Sequence, residues 1–255
     1  MPGLEDPLEP AEFSHRPAMP ASETPGRAAE FASPWRALLA YALLAGVVTL
    51  TVGLPLITFW SGTPIGVDAL GPAGLFQGQL VLAGFLAGWF LLQRRADWRA
   101  FLHVPGGRWE RRIVDGLRTG ARGWVLTMVV MVVLGIAAHA GGVRPNAGFT
   151  EVMLWMARLG LGWRIAVILV AMIVEEAFFR AFLQPRIGLV LATCCFALSH
   201  FNYGSPTMGG GVFVIGWVLG KAFARTDDLV VCAVAHGTFD AIQLLVVLPL
   251  VASQL

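Results

Sequence analysis

The chain has 255 residues, of which 56% are hydrophobic and only 13% are charged, and its mean hydropathy is +0.70. This composition excludes an ordinary soluble domain and indicates an α-helical membrane protein surrounded by a lipid bilayer. The formal net charge of +2 gives no reason to expect a nucleic-acid partner.

The first 34 residues are rich in proline and acidic side chains and poor in large apolar ones. Such a composition does not support a packed core, so we predict a disordered tail over residues 1–34. Eight arginines between Arg94 and Arg122 predict, by the positive-inside bias, that this stretch and the tail are cytoplasmic. Lys221 is the one lysine among 18 basic residues, which is typical of a GC-rich genome. We therefore expect an integral protein of a bacterial inner (cytoplasmic) membrane.

Apolar runs of spanning length predict an all-α, polytopic transmembrane helical bundle with about seven spans. The predicted spans are residues 35–60, 70–92, 123–140, 163–183, 187–203, 208–223 and 229–251. Residues 141–162 predict an outer loop with a partly interfacial helix. The chain thus divides into a tail (1–34), N-terminal transmembrane helices and loops (35–158) and a C-terminal core (159–255) that holds the last four spans.

Three charged side chains, Glu175, Glu176 and Arg180, lie in the interior of the fourth span. Each charge near the bilayer centre costs roughly 2.5–3.5 kcal/mol, so it needs a partner or a function. Glu176 and Arg180 are four residues apart, in the order that favours pairing on one helix face. Glu175 points about 100° away and has no partner on this helix. A second interpretation is purely structural. In it, Glu176 and Arg180 form a buried ion pair, and Glu175 pairs with a side chain of another helix.

The remaining ionisable residues of the core lie in its later spans. His236 and Asp240 are four residues apart and share one face of the last span, and His200 lies in the fifth. By helical rise, Glu175 and His200 lie about 18 Å and His236 about 11 Å from the starts of their spans, which is compatible with one shared cavity. Two carboxylates, two histidines and an arginine supply the base, donors and ion pair that water-activated amide hydrolysis needs.

Three motifs follow one another along this part of the chain: Glu175-Glu176-x-x-x-Arg180, Phe196-x-x-x-His200 and His236-x-x-x-Asp240. Together they resemble the ordered motifs of the CPBP family, the CAAX-protease and bacteriocin-processing group, which is also called type II CAAX prenyl endopeptidase-like or Abi. The resemblance covers roughly residues 160–250. It implies an intramembrane endopeptidase that hydrolyses a peptide bond in the C-terminal or membrane-proximal segment of a membrane-associated protein or lipidated peptide.

The resemblance also implies a role for each site residue. Glu175 would activate water with help from His200, and His236 with the residue at 240 would stabilise the oxyanion. Glu176 and Arg180 would form a structural pair that supports the site. Eukaryotic prenyl-protein members have Asn at the position of Asp240. An ionised Asp240 cannot donate a hydrogen bond, so it would instead orient His236 or bind a metal.

The sequence leaves the cofactor open. Glu175, His200, His236 and Asp240 could hold Zn²⁺, but no HExxH motif occurs. Alternative functions also remain open. The same polar residues could form the relay of a proton-coupled transporter, although no inverted repeat is apparent. They could equally belong to a non-catalytic immunity or scaffold protein with the family fold.

Overall fold

The computed structural model describes residues 30–61, 67–94, 97–143, 147–201 and 205–254. These residues form helices and no β-strand, which confirms the predicted all-α class. Residues 1–29 of the predicted tail lie outside the described residues. The last residues of that predicted tail, in contrast, pack against the bundle, where Phe31 forms an isolated bridge with Gln93.

Ten helices follow one another in the described residues: α1 (Pro34–Ser61), α2 (Val67–Gly74), α3 (Gln77–Leu92), α4 (Trp98–Phe101), α5 (Trp109–Ala140), α6 (Ala147–Arg158), α7 (Leu161–Glu176), α8 (Gln184–Leu198), α9 (Pro206–Thr226) and α10 (Leu229–Ala252). Helices α1 and α10 contain π-helical turns at Thr49–Gly53 and Ile242–Val247. A third π-helical segment, Ala177–Leu183, joins α7 to α8.

Four of these helices are long and apolar enough to cross a membrane: α1, α5, α9 and α10. They coincide with the first, third, sixth and seventh predicted spans. Helix α3 is apolar but has only 16 residues. The fourth and fifth predicted spans, which are rich in charged and polar side chains, stay predictions. The chain is an integral membrane protein with a polytopic helical bundle.

Two predicted boundaries differ from the structure. Helix α5 begins at Trp109 rather than at residue 123, so the second half of the predicted basic loop is helical. Its glycines explain this, because Gly116 and Gly120 let α5 pack directly on α10: a Cβ on Gly116 would lie 2.6 Å from Cβ of Val234. The break that was predicted between the fourth and fifth spans, at residues 184–186, occurs instead at Gly188. The backbone φ of Gly188 is +84°, a conformation that glycine adopts readily.

Contacts between loops and helix ends show which residues lie together at each end of the bundle. At the basic end, Arg112 pairs with Asp228 at 2.9 Å, and Arg186 pairs with Glu30 at 2.7 Å. At the opposite end, which we call the far end, the rings of Phe59 and Phe201 lie 5.2 Å apart. Arg112 and Arg186 therefore lie at the same end of the bundle, in agreement with the positive-inside bias for a membrane protein.

Candidate active site

The candidate site begins where α7 changes into the π-helical segment Ala177–Leu183. The backbone N–H of Gln184 bonds the carbonyl oxygen of Phe179, five residues back, so each turn there holds an extra residue. Segments of this kind often occur at functional sites. Phe178, Phe179 and the rest of the segment are buried against α3, α8 and α9, which fixes the two preceding glutamates in place.

Glu176 lies in a fully buried group of charges. Arg180 Nε donates to its Oε2 at 3.2 Å, and His236 Nδ1 donates to its Oε1 at 2.9 Å. Neither the Glu176 nor the Arg180 side chain is exposed. The Arg180 guanidinium also lies over the ring of Phe196, with Cζ 4.9 Å from the ring centroid. Both oxygens of Glu176 are thus occupied by cationic or donor groups, which makes this carboxylate a poor base.

His236 connects this group to Asp240, because its Nε2 lies 3.4 Å from Asp240 Oδ2. Each ring nitrogen of His236 therefore faces a carboxylate oxygen. Carboxylates only accept hydrogen bonds, so the arrangement favours the doubly protonated imidazolium. With Arg180 and His236 positive and Glu176 and Asp240 negative, the charges of the group balance. The predicted role of His236 and Asp240 in stabilising an oxyanion stays a prediction.

Glu175 has different neighbours. Gln79 Nε2 donates to its Oε1 at 2.9 Å, and His200 Nε2 lies 3.8 Å from its Oε2. His200 Nδ1 lies 2.8 Å from the carbonyl oxygen of Phe196 and 3.1 Å from the hydroxyl oxygen of Ser199. The other nitrogen of His200 is therefore directed towards Glu175. Glu175 thus has a neutral amide and a histidine as neighbours instead of a fixed cation.

A cavity of about 450 Å³ is lined by Glu175, His200 and Gln79. Its other walls come from α1, α2 and α6, for example from Thr58 and Trp155. These walls belong to the far end of the bundle. Neither His236 nor Asp240 is among the lining residues. The cavity thus extends from the Glu175 carboxylate towards the far end.

The structure therefore divides the four predicted catalytic residues into two pairs. Glu175 and His200 line the cavity, whereas His236 and Asp240 join the buried group around Glu176. The predicted structural pair, Glu176 and Arg180, is in contact as the four-residue spacing indicated. Sequence reasoning missed Gln79, which lies 96 residues before its partner. The sequence signal available was a pair of glutamines, Gln77 and Gln79, at the start of an otherwise apolar helix.

The donor set does not fit a bound metal ion. In the described residues no group of three or more His, Cys, Asp and Glu side chains is arranged to hold one. The geometry explains this, because Glu176 is occupied by Arg180 and His236, and His236 directs both its nitrogens at carboxylates.

Residues 157–242, about one third of the chain, match a family model described as Rce1-like, type II CAAX prenyl endopeptidase Rce1-like. This match confirms the resemblance drawn from the three motifs, all of which lie within it. The chain therefore contains an Rce1-like domain over these residues. No curated protein and no solved structure matches the chain.

Proposed function

We propose that the protein is an intramembrane endopeptidase that uses water activated by Glu175. Its substrate is the C-terminal or membrane-proximal segment of another membrane-associated protein. The proposal starts from the Rce1-like domain and from the different neighbours of its two adjacent glutamates, Glu175 and Glu176. The observation that carries this proposal is the position of Glu175 and His200 on the wall of one cavity, with Glu175 Oε2 3.8 Å from His200 Nε2.

In the proposed reaction, Glu175 takes a proton from water as the water oxygen bonds to the scissile carbonyl carbon. His200, whose Nε2 faces Glu175, assists by hydrogen bonding to the same reacting groups. The tetrahedral intermediate then collapses: the C–N bond breaks, and the proton held by Glu175 passes to the leaving nitrogen. The products are a carboxylic acid and an amine. His236 and Asp240 act indirectly in this proposal, because they hold the Glu176–Arg180 pair in place behind the cavity.

The position of the cavity supports a proposal about the side of the membrane from which the substrate enters. Its walls lie towards the far end, and the positive-inside bias assigns the arginine-rich basic end to the cytoplasm. The substrate segment accordingly reaches Glu175 from the non-cytoplasmic side. A C-terminal sorting anchor or an exported peptide meets this condition, whereas a prenylated cytoplasmic tail does not.

Cleavage of a defined reporter by the purified protein in lipid vesicles tests the proposal. One reporter is an internally quenched peptide joined to a single transmembrane segment, and a second is a soluble quenched peptide that ends in a farnesylated cysteine motif. We expect wild-type protein to cleave the first, and Glu175→Gln to lose about 100-fold or more of that rate. The matched control is Glu110→Gln, which changes an exposed glutamate at the start of α5.

Three other results would contradict the proposal. Cleavage by Glu175→Gln at the wild-type rate would remove Glu175 as the base. Cleavage of the farnesylated peptide alone would contradict the substrate side. A wild-type protein that cleaves neither reporter but moves protons across the vesicle membrane would favour the transporter interpretation.

A further inference from the structure

One polar contact of the site comes from outside the Rce1-like domain. Gln79 lies near the start of α3, and α3 packs along α7. Its amide Nε2 donates to Glu175 Oε1 at 2.9 Å across the cavity wall. The family match covers residues 157–242 and leaves this residue without an assigned role.

The contact makes the two oxygens of the Glu175 carboxylate unequal. Oε1 accepts from Gln79, whereas Oε2 is buried, accepts no hydrogen bond from the described residues and lies nearest His200. Rotating the carboxylate out of this plane would break the contact, because neither oxygen would then lie within reach of the Gln79 amide. The hydrogen bond from Gln79 to Oε1 therefore keeps Oε2 on the side of the carboxylate that faces His200 and the cavity.

The orientation of the Gln79 amide follows from charge. With Oε1 of Gln79 turned towards Glu175, two acceptors would face each other, so the N–H group faces the carboxylate. A neutral amide fixes the carboxylate without neutralising it, in contrast to Arg180 beside Glu176. Gln79 Oε1, the remaining amide atom, is a second buried acceptor without a donor in the described residues. Two such acceptors on one cavity wall suit a ligand that donates hydrogen bonds, such as water or a peptide N–H group.

We propose that Gln79 is a positioning residue for the peptidase reaction, which orients the Glu175 carboxylate so that Oε2 takes the proton from water. The inference rests on the proposed function. It makes the N-terminal helices part of the active site, because α3 supplies a group that the matched domain itself does not contain.

The test compares four purified proteins in lipid vesicles with the quenched transmembrane reporter: wild type, Gln79→Met, Gln79→Asn and Gln184→Met. Methionine keeps the length of glutamine but removes its amide, and asparagine keeps the amide on a shorter stem. Gln184 is the matched control, because it is also a buried glutamine whose Nε2 bonds a neighbouring helix, here the carbonyl oxygen of Gly220 at 2.9 Å. Thermal unfolding and both kcat and KM are measured for each protein.

We expect Gln79→Met to lower kcat by about tenfold or more with little change in KM, because substrate still binds but the base is misdirected. Gln184→Met keeps wild-type kcat per folded molecule. A role in packing alone predicts a different order, with the isosteric Met variant mild and the shorter Asn variant worse. If Gln79→Met does not fold, the kcat of Gln79→Asn decides, since the shortened amide no longer reaches Glu175.

The outcomes separate this inference from the proposed function. An active wild type with unchanged kcat in Gln79→Met, or with the whole loss in KM, overturns the positioning role and leaves the peptidase intact. Equal losses of kcat in Gln79→Met and Gln184→Met would also overturn it. A wild type that cleaves neither reporter overturns the proposed function, and the positioning role with it.

Discussion

Replacing Glu176 by Gln tests the different roles of the two adjacent glutamates through the stability of the folded protein, without relying on its activity. Glu176 is unexposed and contacts Arg180 at 3.2 Å and His236 at 2.9 Å. In the described residues, the two terminal nitrogens of Arg180 have no hydrogen-bond partner, so its charge depends on Glu176 and on the Phe196 ring. Removing one member of a buried pair leaves the other charge uncompensated, at a cost of about 3–5 kcal/mol.

Glu175→Gln is the matched comparison, because it makes the same chemical change one residue earlier. Glu175 contacts a neutral amide, and a glutamine there can still accept from Gln79 with its own amide oxygen. We expect a cost of about 1 kcal/mol for weakening this one hydrogen bond. Glu176→Gln should therefore unfold far more easily than Glu175→Gln, by about 2–4 kcal/mol.

A thiol-reactive fluorescent dye measures this difference in a background that carries Cys194→Ala and Cys195→Ala, which removes the two partly exposed cysteines. The remaining cysteine, Cys232, is buried in the folded protein and reacts when the bundle opens. The purified variants are heated in detergent, and the temperature of half-maximal labelling is compared with that of wild type. Glu176→Gln should be labelled at a clearly lower temperature. The reasoning fails if Glu176→Gln unfolds with wild type, or if Glu175→Gln loses as much stability as Glu176→Gln.

Two further predictions concern packing and topology. Gly120→Ala should destabilise the protein by about 1–3 kcal/mol in the same assay, because the new Cβ would collide with the carbonyl oxygen of Ala235. Gly135→Ala on the same helix, where a Cβ meets nothing within 4 Å, should be neutral or stabilising, and equal behaviour of the two would contradict the packing. In a cysteine-free background, a cysteine at Arg108 should react with a membrane-impermeant reagent only after the cells are opened. One at Ser253 should react in intact cells, and the reverse pattern would invert the proposed topology.

The parts of the site predicted from sequence are those that depend on one helix. The spacing of Glu176 and Arg180 predicts their contact because a helix turns about 100° per residue whatever surrounds it. The same applies to His236 and Asp240. Helix class and the long apolar spans follow equally from local composition, and the order of the three motifs predicted the family that the matched model confirms.

The parts that were missed depend on how helices pack. Sequence places His236 near the carboxylates but does not say which one it contacts, and the choice of Glu176 follows from the close approach of α10 to α7. The close approach occurs next to Gly237, where a Cβ would collide with Met172. Gln79 was missed for the same reason, since nothing local relates it to a residue 96 positions later. The early start of α5 also depends on packing, through the glycines that face α10.

The two glutamates show how one helix provides stability and reactivity side by side. Adjacent side chains on a helix point about 100° apart, so a pair of carboxylates necessarily faces two different neighbours. Glu176 faces α10 and its own helix, where Arg180 and His236 contact its two oxygens and hold the side chain in place. Glu175 faces α3 and the cavity, where a neutral amide orients it without neutralising it. Because the buried group of charges around Glu176 lies behind Glu175 and does not contact the cavity, substitutions in that group should first affect folding. Substitutions at Gln79 and His200 should first affect the chemical step.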